Sequence, residues 1–208
     1  NERTRYLTDA ERESLLNACE ISPNPDLYLV VLLAISTGMR KGEIMGMRWQ
    51  DIHTAPDHSF TRVHLTKTKN GKARSVLLTS PTLELLEDRR TKLMESQQAK
   101  VAAGLVFPST ANATQPVDLR KPWRAALQAA GIEEFRFHDL RHTTASYLAM
   151  NGASLLAISK VLGHKTTKMT ERYSHLATSH IDEVVRSMNA KKFGQPSKTT
   201  PTTGTSES

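Results

Sequence analysis

The chain has 208 residues, 38% of them hydrophobic and 24% charged, with a formal net charge of +7. That is enough for one domain with a real core, and the positive balance suits a polyanionic partner, because Lys and Arg release counterions from a phosphate backbone. Cys19 is the only cysteine, which excludes an internal disulfide, and the longest apolar run, Leu29 to Ile35, falls far short of the ~20 residues that span a bilayer. Both features suit a protein that works inside the cell. No secretory leader is visible, and the chain opens on "NERTRYL" without an initiating Met, as a piece of a longer protein would.

In chain order, Thr8 and Glu11 form a capping box for a first helix whose apolar face carries Leu15, Leu16 and Cys19. Asp26 is placed to cap a second helix, apolar all round and therefore central, which ends at Gly38. "KGEIMGM" predicts a short helix. From Trp49 to Leu78 the period changes to two, with Val63 and Leu65, then Val76 and Leu78, on one face. Asn70-Gly71 marks a hairpin turn, so "TKTKNGKAR" is the tip of a small antiparallel sheet.

"SPTLELLEDRRTKLMESQQAK" predicts a helix capped by Ser80 with Pro81 in its first turn. "LVFPS" is a short buried segment. Asp118 is placed to cap "LRKPWRAALQAAG", with regular helix from near Pro122. Helices follow at "HDLRHTTASYL", at "SLLAISKVL" up to Gly163, near "TKMTERYSHL", and at "SHIDEVVRSMNAKK". The fold class is α+β, mainly α-helical, with a small antiparallel sheet on one edge. The tail "GQPSKTTPTTGTSES" has no apolar period and is expected to be disordered.

Arg136 to Thr143 put two imidazoles and two guanidiniums into eight residues. His138 and His142 have the spacing of two metal ligands on one helix face, whereas His138 and Arg141 have that of an anion grip. Arg141 opposes a divalent cation on that face, and there is no cysteine pair to add ligands. A phosphate is served by Arg141, which grips two oxygens at once, by His138, and by the amides of a helix N-terminus. A plain ion pair of Arg141 with Asp139 or Glu134 stays open on these residues alone. Elsewhere, Arg40 follows the glycine that ends the apolar helix, with Glu43 three residues on to orient it. His164 follows a glycine-ended helix, with Tyr173 nine residues on.

Taken together, "TGMRKGEI", the basic hairpin "TKTKNGKARSV", "HDLRHT", "LGHK" and "TERYSH" resemble the catalytic domain of the tyrosine recombinases, the phage-type integrases. The motifs stand in the family's order from Thr37 to His175. The resemblance implies an integrase-type catalytic domain over 1–192 and a core-binding domain that lies outside this chain; the tail over 193–208, expected from its composition to be disordered, has no assigned counterpart in the family. It implies Arg40 and Arg141 as the two catalytic arginines, His138 and His164 as the histidines, and Tyr173 as the nucleophile. Glu43 supports the first arginine. Lys69 is the hairpin general acid, with Lys67 and Lys72 near enough to compete for that role. Lys67, Lys72 and Arg74 are expected on the DNA. His142 and Arg136 fall outside the catalytic set, His142 packing or hydrogen-bonding beneath it.

The activity so implied is site-specific cleavage and rejoining of double-stranded DNA through a 3′-phosphotyrosyl intermediate. It needs no cofactor, metal or ATP, and the protein is expected to be tetrameric on DNA, monomeric without it, and cytoplasmic at the nucleoid. The last helix packs in cis or on a neighbouring protomer. Type IB topoisomerase chemistry and a non-catalytic helix-turn-helix, for which "ASLLAISKVLGHKTTKMTERYSHL" has the pattern, are the alternatives.

Overall fold

The computed structural model describes residues 5–66, 73–95 and 104–194. Helix α1 (Asp9–Glu20) begins at the expected capping box: the Thr8 hydroxyl accepts from the Glu11 N–H at 3.2 Å, and Glu11 accepts from the Thr8 N–H at 2.9 Å. Its apolar stripe buries Leu15, Ala18 and Cys19. Helix α2 (Leu27–Thr37) is apolar on every face because it is surrounded, packing against α1, the helix after the sheet and the helix that carries "HDLRH". Leu27, Val30, Val31 and Leu33 are fully buried. Each such side chain contributes roughly 1.5–3 kcal/mol of hydrophobic stabilisation. Asp26 stands at the N-cap without capping the backbone; its buried carboxylate pairs with Arg89 on the helix after the sheet instead. Gly38 ends α2 in the left-handed region at φ 65°, donating its N–H to the Ala34 carbonyl at 3.0 Å.

Helix α3 (Lys41–Met45) leads to a three-stranded antiparallel sheet of β1 (Ile52–Thr54), β2 (Thr61–Leu65) and β3 (Arg74–Leu78), in that order. Val63 lies opposite Ile52 on one side and Val76 on the other, and Leu65 faces Arg74. The alternation seen in the sequence puts Val63, Leu65, Val76 and Leu78 in the core. The hairpin tip, with Lys67, Lys69, Lys72 and the Asn70-Gly71 turn, lies outside the described residues.

Helix α4 (Thr82–Glu95) starts one residue after Pro81, and Ser80 donates to the Glu84 carboxylate at 2.6 Å. Leu105, Val106 and Phe107 are buried, as "LVFPS" implied. Helix α5 (Arg120–Ala129) begins two residues before Pro122, not at it. A proline in the first turn removes an N–H that has no intrahelical partner anyway. Helix α6 (Asp139–Met150) carries "DLRH" on its first turn, and α7 (Leu155–Leu162) is capped by Ser154 and ended by Gly163 at φ 64°. Two short 3-10 turns, Thr167–Met169 and Glu171–Tyr173, replace the helix expected near "TKMTERYSHL" and run into a single helix α8 (Ser174–Phe193).

The main core gathers on α2. A second cluster of Ala145, Ala149, Ile158, Leu162 and Tyr173 joins α6, α7 and the last 3-10 turn. Among the described residues no helix is long and apolar enough to cross a membrane.

Candidate active site

The end of α2 sets the first part of the site. The left-handed Gly38 turns the chain so that Arg40 becomes the N-cap of α3 and Glu43 its third residue. Glu43 accepts from the Arg40 N–H at 2.8 Å and from Arg40 Nη1 at 2.9 Å, and it takes a third bond from Arg74 Nη2 at 2.7 Å. Burial pushes the Glu43 carboxyl up, but the Arg40 amide, the Arg74 charge and both side-chain hydrogen bonds more than offset it. Its pKa is lowered on balance, so Glu43 is anionic. Arg74, expected on the DNA, is turned inward: its side chain is 11% exposed, and its Nη1 donates to the Val161 carbonyl at the end of α7. The first residue of β3 therefore braces both Glu43 and α7.

Arg141 lies on the first turn of α6 and is buried. Its partners are neither Asp139 nor Glu134 but two carbonyls, Gly38 at 2.6 Å and Leu162 at 2.5 Å. Both carbonyls close helices, α2 and α7, where the dipole is negative and a cation is favoured. Asp139 accepts from the Arg136 N–H at 2.8 Å. Burial first, then the charges of Arg40 and Arg74, push Arg141 down to about 9. It remains cationic at neutral pH. Three guanidiniums share one carboxylate, so the neighbourhood carries excess positive charge that a bound anion would relieve.

The remaining groups come from the second cluster. Gly163 lets the chain turn out of α7, and His164 Nδ1 comes within 2.8 Å of the Thr170 hydroxyl. The 3-10 turn then delivers Tyr173, which is 2% exposed. Its hydroxyl lies 2.5 Å from Nδ1 of His142. His138, at the N-cap of α6, is exposed, with its ring edge-on to that of His142 at a centroid distance of 5.2 Å. Burial lowers His164 to about 4, helped by the charges of Arg141 and Arg40. Burial and His138 lower His142 to about 4.

The structure thus brings Arg40, Glu43, Arg141, His138, His164 and Tyr173 into one neighbourhood and adds Arg74 and His142. Sequence reasoning leaves His142 outside the catalytic set, although the spacing of four residues already places it on the helix face of His138. Lys69, Lys67 and Lys72 lie outside the described residues. Among the described residues no group of three or more His, Cys, Asp or Glu side chains could hold a metal ion.

The phage integrase family model matches residues 5–180. The chain belongs to this family. It is similar to the integrase of Salmonella phage P22, 31% identical over 202 residues that cover 91% of this chain and 48% of that protein. It is also similar to the shufflon-specific DNA recombinase of Escherichia coli, 34% identical over 175 residues, covering 84% and 41%. The solved catalytic domain of bacteriophage HP1 integrase shares the fold with a TM-score of 0.65 at 27% identity, covering 90% of this chain and 96% of that one. Mainly helical architecture with one small antiparallel sheet is therefore that of an integrase catalytic domain. The chain spans about half the length of the curated relatives it matches.

Proposed function

We propose that this domain cleaves and rejoins DNA strands at specific sites, with Tyr173 as the nucleophile. The observation that carries the reading is the seating of a tyrosyl hydroxyl and two half-buried histidines beside the buried guanidinium of Arg141 and its neighbour Arg40. A phenol has a pKa near ~10 and must lose its proton as it attacks phosphorus. Arg40 and Arg141 cancel charge on the non-bridging phosphate oxygens, an effect worth roughly 3 kcal/mol for a single well-placed donor. His164 donates a further hydrogen bond to the phosphate, and Glu43 holds Arg40 in place. Lys69, on the hairpin, protonates the leaving 5′ oxygen. The 3′-phosphotyrosyl ester conserves the energy of the broken bond, so rejoining requires neither ATP nor a metal.

Double-stranded DNA is the partner, favoured by the net charge of +7, with Lys67 and Lys72 contacting the backbone. The active assembly on DNA is a tetramer, and the domain of 1–192 is monomeric without it, acting in the cytoplasm at the nucleoid. Integration or excision of a mobile element is the biological setting of this chemistry.

The test uses a pool of nicked duplexes with a randomised core, incubated with the protein in EDTA at low salt. Covalent protein–DNA adducts are recovered after denaturation and sequenced. The expected result is an adduct with a defined core sequence, lost in Tyr173→Phe. An adduct that survives Tyr173→Phe, or one that forms only with added metal, overturns the reading.

A further inference from the structure

The resemblance implies His138 as a catalytic histidine of the His-x-x-Arg motif, and a second histidine, one turn further along α6, makes a close contact with the tyrosine. His142 Nδ1 lies 2.5 Å from the Tyr173 hydroxyl, and the two residues are 31 apart in sequence. His138 is exposed at the helix end and meets His142 ring to ring. We propose that His142, rather than His138, receives the phenolic proton when Tyr173 attacks and returns it when the strand is resealed. The assignment rests on the strand-transfer reading above and specifies how its nucleophile is activated.

The chemistry requires a neutral imidazole with its proton on Nε2, leaving Nδ1 to accept. The surroundings favour that form. His138, Asp139 and Arg141 face His142 from α6, Arg172 and Tyr173 from the 3-10 turn, and His164 from the turn after α7. Burial is the main reason the ring is neutral at pH 7, and the cationic groups outweigh Asp139. In this state His142 holds the tyrosine by a hydrogen bond and is a weak base. A phosphodiester lodged against Arg141 brings a negative charge near His142, which works against the lowering by burial and raises the basicity of the ring when substrate arrives.

Atoms balance in each direction. The Tyr173 O–H bond breaks and its proton moves to His142 Nδ1 as Oη bonds to phosphorus. The P–O5′ bond breaks and the 5′ oxygen takes a proton from the Lys69 ammonium. On resealing, the incoming 5′ hydroxyl gives its proton to Lys69, and the imidazolium reprotonates the departing phenol.

Two measurements test this. The first needs no DNA: ¹⁵N NMR of the His142 ring in the wild-type chain and in Tyr173→Phe. An Nδ1 acceptor signal that shifts when the hydroxyl is removed is expected; an unchanged ring overturns the contact and the proposal with it. The second follows adduct formation on the duplex recovered from the selection. His142→Ala is expected to slow it about a hundredfold at neutral pH. Replacing Tyr173 by a fluorinated tyrosine with a more acidic phenol should restore at least tenfold of that loss in His142→Ala and little in His138→Ala, because a phenol already ionised needs no acceptor. His142→Gln, which retains an acceptor of similar reach, provides a second variant should the alanine protein fail to fold. It is expected to fold and to be rescued likewise.

An undiminished rate in the His142 variants, or rescue in His138→Ala alone, overturns the assignment while the strand-transfer reading stands. A wild-type chain that forms no adduct on any duplex removes the reaction itself, and the assignment falls with it.

Discussion

Glu43 and Arg74 meet at 2.7 Å across 31 residues of sequence, and the same carboxylate holds Arg40 at 2.9 Å. One buried acid thus ties α3, β3 and, through the Arg74 bond to the Val161 carbonyl, the end of α7. Removing it leaves two poorly solvated guanidiniums facing Arg141 without a counter-charge. Breaking a buried pair by removing one partner costs about 3–5 kcal/mol. Glu43→Ala is therefore expected to lose roughly 3 kcal/mol in urea unfolding. Glu43→Gln, which still accepts a hydrogen bond but carries no charge, should lose about half as much. A Glu43→Ala protein as stable as the wild type would show that the three groups do not depend on one another.

Three glycines in the left-handed region offer a graded comparison. A Cβ on Gly38 would strike Leu162 Cδ2, and one on Gly163 would come within 2.7 Å of Arg74 Cδ. At Gly131, with φ 66°, nothing lies within 4 Å. Gly131→Ala therefore carries the backbone strain alone, about 1 kcal/mol. Gly163→Ala adds displacement of the Arg74 stem and should cost about 2 kcal/mol, since the guanidinium at its end is tethered on both sides. Gly38→Ala should be the worst, roughly 3 kcal/mol, because it also disturbs the carbonyl that holds Arg141. Thermal melts of the three variants check the order. Equal losses would mean that strain, not packing, governs all three.

Much of this is legible in the sequence because it depends on local rules. The Thr8 box, the glycine ends of α2 and α7, and the register of Val63 with Val76 each follow from residues near one another, or from a period of two. What is not legible depends on partners that only the fold supplies. Asp26 has the sequence of a cap, but Arg89 on α4 takes its carboxylate away from the amides. Arg74 reads as a DNA contact on the basic hairpin, because only the fold of β3 places it beside Glu43. His142 gives no local sign of its contact, because spacing within one helix cannot reveal that a tyrosine from a distant turn comes to rest on it. The segment before Tyr173 reads as helix, yet it forms two 3-10 turns that end with the tyrosine packed against Ala145 and Ala149 of α6.

Arg141 makes a demand on geometry as well as charge. Its fork spans the Gly38 and Leu162 carbonyls, which end two different helices. A lysine places one ammonium at the end of a flexible stem and cannot bridge both with the same rigidity. Arg141→Lys leaves one carbonyl unsatisfied, at about 1–3 kcal/mol. It should therefore lower stability by roughly 2 kcal/mol while also slowing adduct formation by at least tenfold. Chemical denaturation and the gel assay check the two effects separately. A lysine variant with full activity and full stability would show that positive charge alone suffices there.

The two half-buried histidines give the fold a pH dependence in a defined window. His142 and His164 are each pushed from 6.5 to about 4 in the folded chain, chiefly by burial and then by the cations around them. Between those values the unfolded chain binds more protons than the folded one, so stability falls as pH falls. The contribution is complete above about pH 6.5 and is lost progressively towards pH 4. A tenfold change in proton affinity corresponds to ~1.4 kcal/mol, and partial exposure of both rings discounts it, so a combined loss on the order of 2 kcal/mol by pH 4.5 is expected. Glu11 and Asp118, held down to about 2 by Arg5 and Arg120, lose their contributions mostly at more acidic pH, below their ordinary values of 4.5 and 3.8, while Asp26, pushed up by burial, binds protons more readily in the folded chain and opposes the decline at its acid end. Unfolding measured from pH 7.5 to 4.5 should show the decline, and a His142→Phe/His164→Phe double variant should flatten it. A slope unchanged in the double variant would place the proton uptake on other groups.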